Sequence, residues 1–141
     1  MERDVLTLGP THDPMIAEAA IERLVRRFYE RGDVDDLLGP IFRAIPKLEE
    51  HLGVIIDFWS RQLIGSDRYT GRPFPPHWKL ELTPEHFDRW MALFSRTAHE
   101  ELPADLAEKA IEKAGHMSTA FQAAMFPLRG PDGRPMRLPR D

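Results

Sequence analysis

The chain has 141 residues, of which 42% are hydrophobic and 30% charged, and its formal net charge is −4. This length suits one domain with a sizeable core. The mild negative charge argues against a nucleic-acid binder, since such domains usually carry a basic face. The chain has no cysteine, which excludes disulfides, thiolate metal sites and cysteine nucleophiles.

No segment has the pattern of a targeting or membrane-spanning sequence. The first residues, Met1 to Asp4, lack the basic start and apolar run of a signal peptide. The longest apolar runs, such as Val54-Ile55-Ile56, fall far short of the ~20 residues that span a bilayer. We therefore expect a cytoplasmic protein with no membrane partner.

Thirteen prolines divide the chain into windows with helical periodicity. Four helices are predicted: from about Met15 to Arg31, from Pro46 to Leu63 or Ile64, from Thr83-Pro84 onward, and from Pro103 to Pro127. Asp13-Pro14 has the pattern of a helix start, and Gly32 and Gly65 that of helix ends. Sustained two-residue alternation is missing, so strands are disfavoured and an all-α domain is predicted.

The domain organisation follows from these helices. An N-terminal extension over 1–12 precedes a helical domain over 13–127, and a C-terminal tail occupies 128–141. The tail contains four arginines, three prolines and two glycines, a composition that predicts mobility.

Four side chains carry the candidate chemistry. His77 follows Pro73-Phe74-Pro75-Pro76, and a turn held between these prolines and Pro84 can aim one imidazole. His51 lies on the apolar face of the second predicted helix. Tyr29 and Trp90 each combine an apolar ring with one polar group.

Two histidines that address opposite faces of a flat cofactor, with these aromatic residues beside them, suggest a haem pocket. Taken singly, each residue has a plainer explanation: a surface loop or boundary histidine, or an aromatic residue that packs in the core. His12, His86, His99 and His116 are given no role. The chain has no HExxH, phosphate-loop or GxSxG motif.

The order and spacing of several short motifs resemble a known family. They are Phe28-Tyr29, Leu38-Gly39-Pro40-Ile41-Phe42, His51 followed by Phe58-Trp59, Gly71-Arg72-Pro73, His77, and Phe87 to Phe94. From about Ile21 to Phe126 the chain is similar to the truncated haemoglobins, and among them to the third group, found in bacteria.

The resemblance implies a globin-like two-over-two helical sandwich around haem, with a reduced proximal helix. It implies that His77 is the proximal iron ligand and that Phe42 stacks on the haem. It places Tyr29, His51 and Trp90 on the distal side, with Ile55 one turn beyond His51. The cofactor is then haem b, bound without a covalent link.

This resemblance predicts a protein that binds dioxygen, with nitric oxide or peroxide as further ligands. Oxygen on ferrous haem gains partial negative charge, which O–H and N–H donors stabilise, so retention or redox chemistry is favoured over transport. Whether the protein is an enzyme, with peroxidase-like activity or with redox activity on nitric oxide and oxygen, stays open. An unidentified reductase is one candidate partner. The alternatives are a haem-based sensor or a cofactor-free helical interaction domain. The haem propionates are anionic and need cationic partners, and the candidates are Arg43, Lys47, Arg72 and Lys79.

Overall fold

Five helices build the fold in the computed structural model, which describes residues 12–69, 82–126, 128–129 and 135–136. They are α1 (Pro14–Val34), α2 (Gly39–Arg43), α3 (Leu48–Ile64), α4 (Pro84–Glu101) and α5 (Ala104–Met125). Helix α1 packs against α3 and α4, α4 packs against α5, and α3 also meets α5. The predicted all-α fold is therefore confirmed. Within the described ranges, no helix is both long and apolar enough to cross a membrane.

Local sequence signals set several helix boundaries as predicted. Asp13 caps α1, where its Oδ1 accepts the backbone N–H of Met15 at 2.8 Å. Thr83 precedes α4, whose first residue is Pro84. Gly65 ends α3 with φ 74°, a left-handed conformation that glycine adopts at little cost.

The predicted helix end at Gly32 is wrong, because α1 continues to Val34 and is capped by Asp35. The ring of Phe42 lies directly over Gly32. A Cβ atom at Gly32 would come within 2.9 Å of Phe42 Cζ and closer still to Cδ2 and Cε2. The glycine therefore reflects close packing inside a helix and does not mark the helix end.

Two smaller differences also separate the structure from the sequence prediction. Helix α3 begins at Leu48 and not at Pro46, because Lys47 adopts a left-handed backbone with φ 50°. The short helix α2 was not predicted; it follows a turn in which Asp35 Oδ2 accepts the N–H groups of Leu37 and Leu38, each at 2.9 Å.

The C-terminal tail contributes one described feature. Strands β1 (Leu128–Arg129) and β2 (Pro135–Met136) pair in antiparallel fashion. The sequence had disfavoured strands, and a pair of two-residue strands is too short to leave an alternating pattern. The other tail residues and residues 1–11 lie outside the described part of the chain, so their predicted properties stay predictions.

The hydrophobic core lies where α1, α3, α4 and α5 meet. Helix α1 contributes Ile21 and Leu24, both fully buried, and α5 contributes Ala107, Ala110 and Ala114, also fully buried. The small side chains on α5 allow its backbone to approach α3 and α4 closely. This packing positions the aromatic residues described below.

A polar cluster ties the segment after α3 back onto α1. Ser60 is fully buried; its Oγ donates to Glu18 Oε2 at 2.7 Å and lies 2.7 Å from Ser66 Oγ. Arg68 donates to both carboxylate oxygens of Glu18, at 2.7 and 3.0 Å, and through Nε to Asp57 at 2.9 Å. The hydrogen bonds from Arg68 lower the pKa of Glu18 below its ordinary value of 4.5; partial burial opposes this shift, and the bond from Ser60 adds to it.

Substituting Gly32 with alanine should destabilise the fold by about 1–3 kcal/mol, because the new Cβ must displace the Phe42 ring. Gly53 offers a matched control in α3, where an added Cβ meets no atom within 4 Å. Gly53→Ala should raise the free energy of unfolding by roughly 0.5–1 kcal/mol. Denaturant unfolding of both variants checks this, and equal effects at the two sites would contradict it.

Replacing Glu18 with glutamine should cost about 1 kcal/mol of stability at pH 7, since Arg68 loses a charged acceptor. The folded-state pKa of Glu18 is lowered, so its contribution is present above the unfolded-state pKa and is lost as pH falls through the folded value. The difference between parent and Glu18→Gln should therefore shrink below about pH 4.5. Urea unfolding from pH 7 to pH 3 measures it, and a pH-independent difference would argue against the cluster.

Candidate functional site

A cavity of about 310 Å³ opens among all five helices. Its wall is mainly apolar and rich in aromatic rings: Phe28, Tyr29, Phe42, Phe58, Trp59, Phe87, Trp90, Phe94 and Phe121. The few polar side chains in this wall are Tyr29, His51, His86 and Ser118, apart from the indole nitrogens. A largely apolar pocket with a few convergent polar groups is the usual form of a small-molecule or cofactor site.

Tyr29 and His51 form the central polar pair of the cavity. Tyr29 lies on α1 and His51 on α3, and the Tyr29 Oη atom is 2.9 Å from His51 Nε2. Desolvation raises the pKa of the Tyr29 phenol above its ordinary value of 10, and burial lowers the pKa of His51 below 6.5. Both side chains are therefore neutral at pH 7.

A neutral pair at this distance allows two proton arrangements. With the imidazole proton on Nδ1, the Tyr29 hydroxyl donates to Nε2 of His51 and is fully used. With the proton on Nε2, His51 donates to the hydroxyl oxygen of Tyr29, which leaves the O–H hydrogen free. In the second arrangement Tyr29 can donate to a ligand in the cavity.

The Trp90 indole is held in place by two other rings. Its ring is nearly parallel to Phe94, four residues later on α4, with centroids 5.0 Å apart and an angle of 4° between planes. Phe28 on α1 meets it edge-on at 5.2 Å. The indole N–H has no hydrogen-bond partner among residues 12–69 and 82–126. It is thus a fixed and available donor in the cavity wall.

Phe42 and Ile55 complete this part of the wall. The ring of Phe42 lies 5.0 Å from that of Tyr29, tilted by 33°, because α2 returns the chain across Gly32. Ile55 is half-buried one helical turn after His51 and lines the same cavity. The structure therefore brings together all the predicted site residues that it describes.

The predicted iron ligand, His77, lies outside the described residues, as do Arg72 and Lys79. The other two candidate cations can be placed, and neither lines the cavity. Arg43 donates through Nη1 to the backbone carbonyl of Asp33 at 2.5 Å, which ties α2 to the end of α1. Lys47 occupies the left-handed position just before α3.

Two histidines that were given no role have definite contacts. His86 lines the cavity, one turn before Trp90 on α4. The spacing of four residues between them was the sequence signal for it, since such residues share a helix face. His12 bonds both carboxylate oxygens of Asp105 at 2.9 Å and so joins the chain before α1 to α5. His99 and His116 are exposed.

Comparison with known proteins agrees with this architecture. A family model of bacterial-like globins matches residues 12–126. A group 3 truncated haemoglobin from Campylobacter jejuni is 28% identical over 121 residues, which cover 82% of this chain and 95% of that protein. The crystal structure of a group III truncated haemoglobin from Campylobacter jejuni superposes with a TM-score of 0.72 and 26% identity, covering 87% of this chain and 99% of the other.

The matched region contains every helix of the fold and all the described residues of the cavity wall. The resemblance to truncated haemoglobins is thereby confirmed. The chain belongs to the bacterial-like globin family, which implies a haem cofactor and haem-based binding of small ligands.

Proposed function

We propose that this chain binds haem b non-covalently, with His77 as the proximal iron ligand, and retains dioxygen beside Tyr29, His51 and Trp90. The observation that carries the proposal is the 2.9 Å hydrogen bond between Tyr29 and His51 inside an aromatic cavity. Three side chains on three helices offer polar hydrogens there, and the rest of the wall is apolar. The role of His77 rests on its sequence position and on the family resemblance.

The residues present fit a flat, conjugated cofactor. Aromatic side chains dominate the wall, and the proposed role of Phe42 is to stack on the macrocycle. Bound haem would supply the iron that holds a diatomic ligand. Ile55 would limit the space beside that ligand, one turn from His51.

The donors of the cavity suit a ligand that carries partial negative charge. Tyr29 and His51 stay neutral at pH 7, so they supply hydrogen bonds without the cost of a buried charge. Each such bond contributes about 1–1.5 kcal/mol, which slows ligand release. We therefore favour ligand retention, or redox chemistry on nitric oxide or peroxide with an unidentified reductase, over simple transport.

Haem content after expression tests the proposal directly. The parent protein should be red and show a Soret band, and His77→Ala should lose most of its haem. Added imidazole should restore the band in His77→Ala, because it can replace the missing ligand. The exposed His99 gives a matched control, and His99→Ala should keep the parent haem content.

Two outcomes would contradict this assignment. A colourless parent protein would remove haem binding and leave a cofactor-free helical domain. Unchanged haem content and an unchanged spectrum in His77→Ala would show that another residue ligates the iron.

Oxygen release tests the donors separately. Trp90→Phe and Tyr29→Phe each keep an aromatic ring and remove one donor, so each should speed oxygen dissociation by about tenfold. The double variant should depart from additivity, since both donors act on one ligand and Tyr29 also bonds His51. Stopped-flow dissociation rates measure all three variants. Rates equal to the parent in every variant would mean that the pocket acts as an apolar one.

A further inference from the structure

His86 is a cavity residue whose ring orientation is set by the start of α4. It is the third residue of that helix, in a capping box with Thr83. The backbone N–H of Thr83 donates to His86 Nδ1 at 3.0 Å, and Thr83 Oγ1 lies 2.9 Å from the same nitrogen. Both contacts engage Nδ1, and Nε2 has no hydrogen-bond partner among the described residues.

This capping contact fixes the chemical character of the free nitrogen. A ring nitrogen that accepts a hydrogen bond carries no proton, so the hydrogen of His86 is on Nε2. An Nε2 that bears hydrogen has no lone pair for a metal. Iron ligation through Nε2 would require a proton on Nδ1, which would then face the Thr83 N–H. His86 is therefore built as a hydrogen-bond donor and not as an iron ligand.

The described part of the cavity wall contains no lysine or arginine. Arg43 is engaged by the carbonyl of Asp33, and Lys47 lies outside the wall. Of the other polar side chains in this wall, Tyr29 and His51 bond each other. The Ser118 hydroxyl accepts from Gln122 at 3.1 Å and keeps its own hydrogen to donate. Besides the Trp90 indole, which faces the ligand in the proposed function, His86 supplies a ring N–H in the described wall that no described residue accepts.

We propose that His86 Nε2–H donates to a carboxylate of the bound cofactor, a haem propionate. This inference rests on the proposed haem function and adds a residue that holds the anionic edge of the group. A hydrogen bond from an imidazole N–H to an ionised carboxylate is stronger than a hydrogen bond between two neutral groups. His86 is consequently a binding residue that contacts the cofactor edge, while Tyr29, His51 and Trp90 face the ligand.

The rate of haem loss to an excess of haem-scavenging apoglobin tests this contact in the full chain. His86→Glu keeps an acceptor for the Thr83 N–H, as glutamate does in a capping box, but removes the donor and adds a repelling charge. Haem loss should be about tenfold faster or more in His86→Glu. His86→Gln keeps an acceptor and an amide donor, so it should lose haem at a rate closer to the parent.

Haem dimethyl ester provides the control on the ligand side, because its propionates carry no charge. Parent and His86→Glu proteins reconstituted with the ester should release it at similar rates. His99→Glu adds the same charge at an exposed position of α4 and should leave both rates unchanged. Thermal unfolding of the haem-free proteins should give similar midpoints for the parent and His86→Glu.

The outcomes separate this inference from the proposed function. If the parent binds haem and His86→Glu releases it at the parent rate, the propionate contact is wrong and haem binding stands. Equal acceleration with haem and with its ester would assign His86 to packing and would overturn the contact. A parent protein that takes up neither compound would overturn both the function and the contact. Should His86→Glu fail to fold, a His86→Gln protein that loses haem as fast as a His86→Leu protein would also overturn it.

Discussion

The packing of Phe28 against other aromatic rings holds core and cavity together. Its ring is 3% exposed and meets Tyr29, Phe42, Trp90 and Phe94 edge-on, with centroids 5.2–5.7 Å apart. Edge-to-face pairs contribute about 0.5–1.5 kcal/mol each beyond the burial of area. These rings come from α1, α2 and α4 and line the cavity, so the Phe28 side chain holds three helices and their parts of the cavity wall in place. A change in this core would therefore also change the site.

Charged side chains join the same helices outside the cavity. Arg89, next to Trp90 on α4, donates to Asp35 at 2.8 and 3.0 Å at the corner between α1 and α2. Arg31 donates to the buried Thr97 at 3.0 Å and pairs with Glu100 on α4. These ties hold α4 against α1 where Trp90 enters the cavity. Charged side chains thus hold the helices together outside the cavity, while the described cavity wall contains no lysine, arginine, aspartate or glutamate.

The features that were predicted correctly depend on residues close together in the sequence. The features that were missed depend on contacts between residues far apart in the sequence. Asp13 and Gly65 act through hydrogen bonds and backbone angles within a few residues, so their roles could be foreseen. Gly32 resembled a helix end, but the ring of Phe42, ten positions later, explains its presence inside α1. Five residues were singled out through their order along the chain and all line the cavity, while their roles stay predictions: Tyr29, Phe42, His51, Ile55 and Trp90. His86 was not, because its role depends on a capping contact and on a cavity that only the folded helices create.

On the proposed function, the neutrality of the Tyr29–His51 pair would determine which ligands the cavity favours. A charged donor buried among aromatic rings would be costly, whereas neutral O–H and N–H groups satisfy each other until a ligand arrives. Burial keeps His51 neutral and its pKa low, so one ring nitrogen stays an acceptor near pH 7. A ligand with partial negative charge favours the arrangement in which His51 donates to Tyr29 and the Tyr29 hydroxyl points into the cavity. An apolar ligand gives no such preference, so the imidazole tautomer of His51 and the direction of the Tyr29 O–H depend on the kind of ligand.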